Sequence, residues 1–245
     1  MDTLVCFITA IFDTNITSCM PYVNQSVPTD FICFSNEHNI LNNGWQINTT
    51  PYHGHIEDNR KISKYYKMMF YDIPILRKYA VIIWIDNNIE IMNRKISEYT
   101  LKKLYKHEII CWHHGKHFGM LKNEVVASNK LQKYSYNIRQ QFEDYVKNGY
   151  KDGFFKMLGH KSPHFGVWDT SFMAFKNHHK KLGTFLQAWY DEIMKYGTND
   201  IISFSYLCYK QSFIPYTLPN KDVYGEPYMP NQFYVPWLQY MERCT

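Results

Sequence analysis

The sequence lacks a long apolar segment of the kind that crosses a membrane. Its first apolar run, from Leu4 to Phe12, is too short to span a bilayer, and Asp2 precedes it where a signal peptide carries basic residues. We therefore expect a cytoplasmic protein with no signal peptide and no membrane span. The richness in Asn, Ile, Lys and Tyr is typical of an AT-rich genome and suits a large DNA virus or a protist.

The six cysteines include no closely spaced pair and no Cys-x-x-Cys motif. Four of them lie in apolar runs, where a reduced thiol behaves as a small core side chain; these are Cys6, Cys33, Cys111 and Cys208. The spacing therefore predicts free thiols and a reducing compartment.

Dense clusters of basic residues are also missing. The net charge is +5 and the pI is about 8.7, without any run of Lys and Arg that resembles a nucleic-acid-binding tail. This balance argues against a nucleic-acid partner, and it is compatible with a ligand that carries phosphate.

What the sequence does contain is an alternation of apolar strands and amphipathic helices. The chain has 245 residues, of which 45% are hydrophobic and 18% aromatic, so it is long enough for one large domain with a real core. The alternation predicts an α/β fold: a single domain with a mainly parallel central sheet flanked by helices. Strands are predicted at 4–10, 31–35, 46–50, 80–85, 108–112 and 168–176, and helices at 58–71, 97–106, 123–148, 182–196 and 201–209. The Pro-rich tail from Pro215 is predicted to lack regular structure.

The strongest strand signal, Ala80 to Ile85, ends directly in Asp86-Asn87-Asn88. Ligands of parallel sheets bind beyond the carboxyl ends of the strands, so Asp86 lies where a ligand is expected. Asp86 and Asn88 offer a carboxylate and an amide oxygen to a divalent cation that neutralises a diphosphate. The alternative is a polar turn without ligands, because Asp-Asn-Asn also suits a turn.

The predicted helix after residue 58 carries a row of basic residues. Arg60, Lys64 and Lys67 fall on one helical face, and Lys61 lies beside Lys64. Such a face can bind phosphates, but a solvated amphipathic helix has the same pattern.

Several segments in one order, from about residue 4 to residue 210, resemble a family of GT-A-like glycosyltransferases related to the plant mucilage hexosyltransferases. The similarity begins with Lys61-Ile62-x-Lys64 and Tyr79-x-x-x-x-Trp84-Ile85-Asp86. It continues with His113-His114-x-Lys116 followed by Glu124, and with Gln140-Gln141-x-x-x-Tyr145-x-x-x-Gly149. The last matching segments are residues 168–175 and Trp189 followed by residues 199–204.

The resemblance implies a GT-A (Rossmann-like) fold and transfer of a sugar, hexosyl or deoxyhexosyl, from a nucleotide-diphosphate donor, with UDP favoured, to a glycan or glycoprotein hydroxyl. Residues 1–90 would form the nucleotide-binding half, 91–210 the acceptor and catalytic half, and 211–245 a Pro-rich tail. The donor site would include Thr9, Ala10, Phe12, Arg60, Lys61, Lys64, Trp84, Asp86 and Asn87. Mn²⁺ or Mg²⁺ would be bound by Asp86 and Asn88.

Whether the configuration of the sugar is retained or inverted stays open, and an inverting enzyme would add a general base that deprotonates the acceptor. Asp200 and Asp169 are the candidates for a general base, and His113, His114 and Lys116 for contacts with the acceptor or phosphates. Their alternatives are a helix cap for Asp200 and a hydrogen bond at a strand edge for Asp169.

The sequence departs from the family at Asn88, where many GT-A enzymes have a second Asp, and at Ile201, where the family has Gln. It also has no His after His179, so a late metal ligand is missing or is replaced by a residue such as Asp222.

Two other classes of function remain open. His113, His114 and His117, with the His53-x-His55 pair, would suit a His-centred metallohydrolase or nuclease, although no carboxylate stands at ligand spacing on a helix. The aromatic content would suit a non-catalytic module that binds carbohydrate or nucleic acid. In a transferase, Trp168 and Trp189 could stack on sugar rings, although core packing is the commoner fate of Trp.

Overall fold

The structure is a computed structural model of the chain. It describes residues 4–12, 15–49, 52, 58–114, 119–131, 138–154, 166–197 and 199–218, and the backbone of 238–240.

A seven-stranded sheet runs in the order β3-β2-β1-β4-β7-β6-β8, and β5 pairs separately with β9. The pairs β1–β2, β2–β3 and β1–β4 are parallel and β4–β7 is antiparallel, so the α/β prediction with a mainly parallel sheet is confirmed. The strands are β1 Val5–Ile11, β2 Thr29–Ser35, β3 Gln46–Asn48, β4 Val81–Ile85, β5 Ile89–Ile91, β6 Ile109–His113, β7 Trp168–Lys176, β8 Tyr216–Leu218 and β9 Leu238–Tyr240.

The helices of the described residues flank these strands along the chain. They are α1 Asn59–Met68, α2 Ile96–Leu104, α3 Leu121–Ser128, α4 Ile138–Lys147, α5 Lys180–Tyr196 and α6 Asp200–Lys210, with short 3-10 turns at Phe70–Asp72 and Pro74–Leu76. No helix in the described part of the chain combines the length and the apolarity needed to cross a membrane.

The chain forms two compact units. The first contains Met1–Ile110, Ser171–Gly183 and Met229–Thr245, and the second contains Cys111–Thr170 and Thr184–Tyr228. The predicted division at residues 90 and 210 stays a prediction.

The first unit is built around β4, which is buried along its whole length. One edge of β4 pairs in parallel with β1, at Ile8 opposite Trp84, and the other pairs antiparallel with β7, at Ile85 opposite Phe172. Because both faces and both edges are covered, only apolar residues are tolerated between Val81 and Ile85, which explains the continuous apolar run.

Asn177 ties the end of β7 to the segment that leads into β4. Its side-chain Nδ2 donates to the carbonyls of Leu76 at 3.1 Å and Tyr79 at 2.9 Å, while its backbone N donates to Ala80 O at 2.9 Å. Because Asn177 is buried, these hydrogen bonds have no competition from water and fix how the chain enters β4.

The second unit has an aromatic core. Trp168 and Trp189 are fully buried, and both rings pack against Phe204. Trp168 Nε1 donates to Thr217 Oγ1 at 2.9 Å, and Trp189 Nε1 donates to Ser203 Oγ at 3.1 Å. Both indoles are core residues, so the suggestion that they stack on sugar rings is wrong.

The prediction of free thiols is confirmed for the described residues. Five cysteines are free and buried; these are Cys6, Cys19, Cys33, Cys111 and Cys208. Burial, with a smaller contribution from the Asp169 carboxylate, raises the pKa of the Cys111 thiol, and burial likewise raises the pKa of the Cys208 thiol. These two thiols are therefore neutral packing groups and not nucleophiles.

The sequence predictions were wrong in two places. The predicted helix 123–148 is two helices, because α3 ends at Ser128 and the chain turns at residues 129–130; residues 132–137 lie outside the described residues. The tail, predicted to be irregular, contributes β8 and β9. The predicted end at Gly149 is close, since α4 ends at Lys147 and a turn follows to Gly149, whose φ of 87° favours glycine.

Replacing Asn177 with Ala should lower the free energy of unfolding by about 2 kcal/mol, because two buried carbonyls lose their donor. Chemical denaturation would measure the change. Asn148→Ala, at an exposed position in the second unit, is the control and should change stability by less than about 0.5 kcal/mol. Equal stability of the two variants would contradict the assigned role of Asn177.

Candidate functional site

In the first unit, the carboxyl ends of β1, β2 and β4 lie at one edge of the sheet because the three strands are parallel. The side chain of Asn87, just after β4, bridges to β1 by donating to the carbonyl of Ala10 at 3.4 Å. This edge is where a parallel sheet binds its ligand.

Helix α1 is held against this edge by aromatic packing. The Tyr66 ring stacks on Phe12, just beyond β1, with centroids 5.4 Å apart, and on Phe34 of β2 at 4.4 Å. The helix begins where predicted, since the Asp58 side chain caps it by accepting from the backbone N of Arg60 at 2.9 Å. The packing fixes the rotation of α1 and therefore the direction of its basic residues.

Asp86 follows β4 directly and is held in place through both its backbone and its side chain. Its backbone N donates to Ser171 O at 2.8 Å, and its carbonyl accepts from the backbone N of Ile89 at 3.1 Å, which closes a turn. Trp84 Nε1 donates to Asp86 Oδ1 at 2.8 Å. The carboxylate remains 38% exposed, so it is both oriented and accessible to a ligand.

Lys67 is the residue of this site that the candidate list from the sequence omitted. Its side chain is fully buried, with Nζ 3.9 Å from Asp86 Oδ1 and 5.5 Å from the centroid of the Trp84 ring. The sequence contained a pattern that could have identified Lys67, because Lys67 lies on the same helical face as Arg60 and Lys64. Its burial, however, depends on the packing of Tyr66, which helical spacing alone does not reveal.

The remaining donor-site candidates surround this edge. Ala10 and Phe12 are buried at the end of β1, Lys61 and Lys64 are half-buried on α1, and Arg60 is exposed. Thr9 is 3% exposed, and its Oγ1 has no hydrogen-bond partner among the described residues. A buried hydroxyl of this kind is a candidate ligand contact.

Asp86 and Asn88 occupy the first and third positions of the turn, and both are partly exposed. One carboxylate and one amide oxygen fit Mg²⁺ or Mn²⁺ that takes its other ligands from phosphate and water. Within the described residues, no group of three or more His, Cys, Asp or Glu is placed to hold a metal ion. A cage made only of protein ligands is therefore absent from this part of the chain.

The second unit contains a separate buried polar cluster of Glu124, Ser128 and Asn199. The Asn199 Nδ2 donates to Ser128 Oγ at 2.7 Å and to Glu124 Oε1 at 3.4 Å, and Ser128 Oγ donates to the same carboxylate oxygen. Asn199 also caps α6, since its Oδ1 accepts from the backbone N of Ile202 at 3.3 Å. The cluster joins α3 to the cap residue that precedes the first residue of α6.

That first residue is Asp200, the leading general-base candidate. Asp200 is only 7% exposed, and its carbonyl accepts from Trp189 Nε1 at 3.2 Å. Because Asn199 is the cap, Asp200 is not, and its carboxylate lies in the first turn, where the helix dipole favours negative charge. Asp169 lies on β7 and is half-buried.

The two histidines that were predicted to contact the acceptor or phosphates differ in accessibility. His113, at the end of β6, is 2% exposed. The side chain of His114 is 18% exposed, and its Nε2 lies 3.9 Å from Glu124 Oε2. Lys116, His117, His53 and His55 lie outside the described residues.

The sequence profile of the TOD1/MUCI70 glycosyltransferase-like domain matches residues 5–219. The chain belongs to this family. The match confirms the resemblance drawn from the motifs and covers both the Asp86 turn and the Glu124 cluster.

A solved structure has a similar fold. The apo structure of the bifunctional glycosyltransferase WbbM is similar, with a TM-score of 0.50 at 11% sequence identity. The alignment covers 84% of this chain but only 38% of the WbbM chain, so the likeness concerns the fold. Among curated proteins, none is similar enough in sequence to count as a match.

Within this TOD1/MUCI70 chain, Glu124→Ala should lower the free energy of unfolding by about 2 kcal/mol, because Ser128 and Asn199 lose their buried acceptor. Glu143→Ala, an exposed glutamate on α4, is the control and should change stability by less than about 0.5 kcal/mol. Urea denaturation of both variants measures the difference, and a neutral Glu124→Ala would refute the structural role of the cluster.

Proposed function

We propose that this chain transfers a sugar from a nucleotide-diphosphate donor, with a UDP-sugar favoured, to a hydroxyl of a glycan or glycoprotein acceptor. The observation that carries the proposal is the pairing of an accessible carboxylate, Asp86, with a buried ammonium, Lys67, at the carboxyl edge of a parallel sheet. Membership of a glycosyltransferase-like family and the structural likeness to a glycosyltransferase support this general class.

On this proposal, the donor lies along the edge formed by β1, β2 and β4. The basic residues of α1, Arg60, Lys61 and Lys64, supply positive charge to the phosphates. Thr9 offers its buried hydroxyl to the nucleotide, and Asn87 fixes the spacing of β1 and β4 beneath it.

Asp86 and Asn88 would hold Mn²⁺ or Mg²⁺, which when bound stabilises negative charge on the departing nucleoside diphosphate. Trp84 orients the Asp86 carboxylate for this task through its 2.8 Å hydrogen bond. Because Asn88 is uncharged, we expect the protein alone to bind the ion weakly and the diphosphate to supply the missing negative charge.

For the transfer itself, Asp200 would accept the proton of the acceptor hydroxyl as its oxygen attacks the anomeric carbon, with Asp169 as the other candidate. His114, beside Glu124, would orient the acceptor or its phosphates, and His113 and Lys116 belong to the same segment. Asp200 lies in the first turn of α6, directly after the Asn199 cap, where the helix dipole favours negative charge.

Calorimetric titration with UDP and GDP, with and without Mn²⁺, tests the donor site. We expect UDP to bind more tightly than GDP, Mn²⁺ to strengthen the binding, and Asp86→Ala to weaken UDP binding at least about tenfold in Mn²⁺.

In these titrations the matched control for Asp86→Ala is Asp30→Ala. Asp30 is 39% exposed, close to the 38% of Asp86, but it lies at the amino end of β2. Circular dichroism confirms that both variants are folded. Failure of both nucleotides to bind under either metal condition would overturn the proposed function.

Once a donor is identified, Asp200→Asn separates the two base candidates. Loss of a general base lowers kcat by about 10²- to 10⁴-fold while the KM for the donor changes little. Steady-state kinetics of Asp200→Asn and Asp169→Asn would measure this. A kcat that falls only in Asp169→Asn would transfer the role to Asp169.

A further inference from the structure

Lys67 is unusual because, among the described lysines and arginines, it is the one that is buried. An ammonium removed from water is costly unless opposite charge lies close by. A Met or Leu of similar length would satisfy the packing of α1 without this cost. The charge therefore needs an explanation other than packing.

The environment of the Lys67 ammonium includes the Asp86 carboxylate and the face of the Trp84 ring. Asp86 Oδ1 lies 3.9 Å away and the Trp84 ring centroid 5.5 Å away, and that same Asp86 oxygen accepts the Trp84 indole N–H. The positive charge of Lys67 balances the negative charge of Asp86. A cation approaching Asp86 from solvent therefore meets a carboxylate that is already neutralised from inside the protein.

We propose that Lys67 is an internal cation that keeps divalent ions from occupying the Asp86 turn until a diphosphate is present. This inference rests on the proposed donor site for its diphosphate part. The Lys67 ammonium and a divalent ion at the Asp86 carboxylate would repel each other. Because the site is partly buried, water screens this repulsion only weakly. A diphosphate adds enough negative charge for both Lys67 and a divalent ion to be retained.

Removing the positive charge of Lys67 should therefore have opposite effects on the binding of Mn²⁺ and on the binding of UDP. In Lys67→Met, Mn²⁺ alone should bind the protein more tightly, because the repulsion is gone. UDP without metal should bind less tightly, because a positive charge that attracts the diphosphate is gone. A residue with only a packing role would not shift these two affinities in opposite directions.

The test measures Mn²⁺ binding without nucleotide, by the loss of the paramagnetic resonance signal of free Mn²⁺. For the wild type we expect a Kd of about 1 mM or weaker, and for Lys67→Met a Kd at least about tenfold lower. Lys67→Arg keeps the charge and should resemble the wild type. Lys78→Met removes the same charge from an exposed lysine that precedes β4, at the opposite edge of the sheet, and should also resemble the wild type.

Unchanged or weaker Mn²⁺ binding in folded Lys67→Met would overturn the proposal. If Lys67→Met does not fold, Mn²⁺ binding by the wild type is the remaining test. A wild-type Kd for Mn²⁺ below about 10 μM without nucleotide would also overturn the proposal. The Mn²⁺ measurements are independent of the donor. Failure of UDP and GDP to bind would therefore refute the proposed function, whereas the Mn²⁺ comparison would still decide the role of Lys67.

Discussion

The complete burial of β4 is the constraint on which the first unit depends. A strand covered on both faces and paired along both edges admits no polar side chain between Val81 and Ile85. The first polar residue, Asp86, therefore appears where the strand leaves the sheet, and the turn closed by Ile89 follows at once. The position of the carboxylate is a consequence of the core, and it is as rigid as the core. Preorganisation of this kind is what a site for a charged ligand requires.

Electrostatic design differs between the two units. In the first, opposite charges on Lys67 and Asp86 are placed together at a surface-accessible edge. In the second, the Glu124 carboxylate is satisfied mainly by neutral donors, Ser128 and Asn199, within the core. The first arrangement suits binding of a polyanion together with a cation, and the second suits orientation of a helix terminus.

The parts of the structure that the sequence predicted well are those determined by local chemistry. The strand before Asp86 and the start of α1 next to Asp58 each follow from a short run of residues. What it did not predict depends on contacts between distant segments. A lysine on an amphipathic helix is normally solvated, so the burial of Lys67 required knowledge of how Tyr66 packs on Phe12 and Phe34. Helical composition also masked the end of α3 at Ser128. The contact of Glu124 with Asn199 joins segments far apart in sequence, so helical spacing could not reveal it either. The tail looked irregular from its prolines, yet Tyr216–Leu218 joins the large sheet.

The antiparallel strand β7 also has a consequence for how the chain matures. Strands β1, β2 and β4 can pair once residue 85 has left the ribosome, but the other edge of β4 has no partner until β7 emerges, because Ile82 pairs with Phe175. During that interval a wholly apolar strand presents unpaired backbone groups, which is the kind of edge that recruits other chains. A nascent chain that stalls between these two strands should therefore be prone to aggregation and dependent on chaperones, whereas a completed chain conceals the same edge.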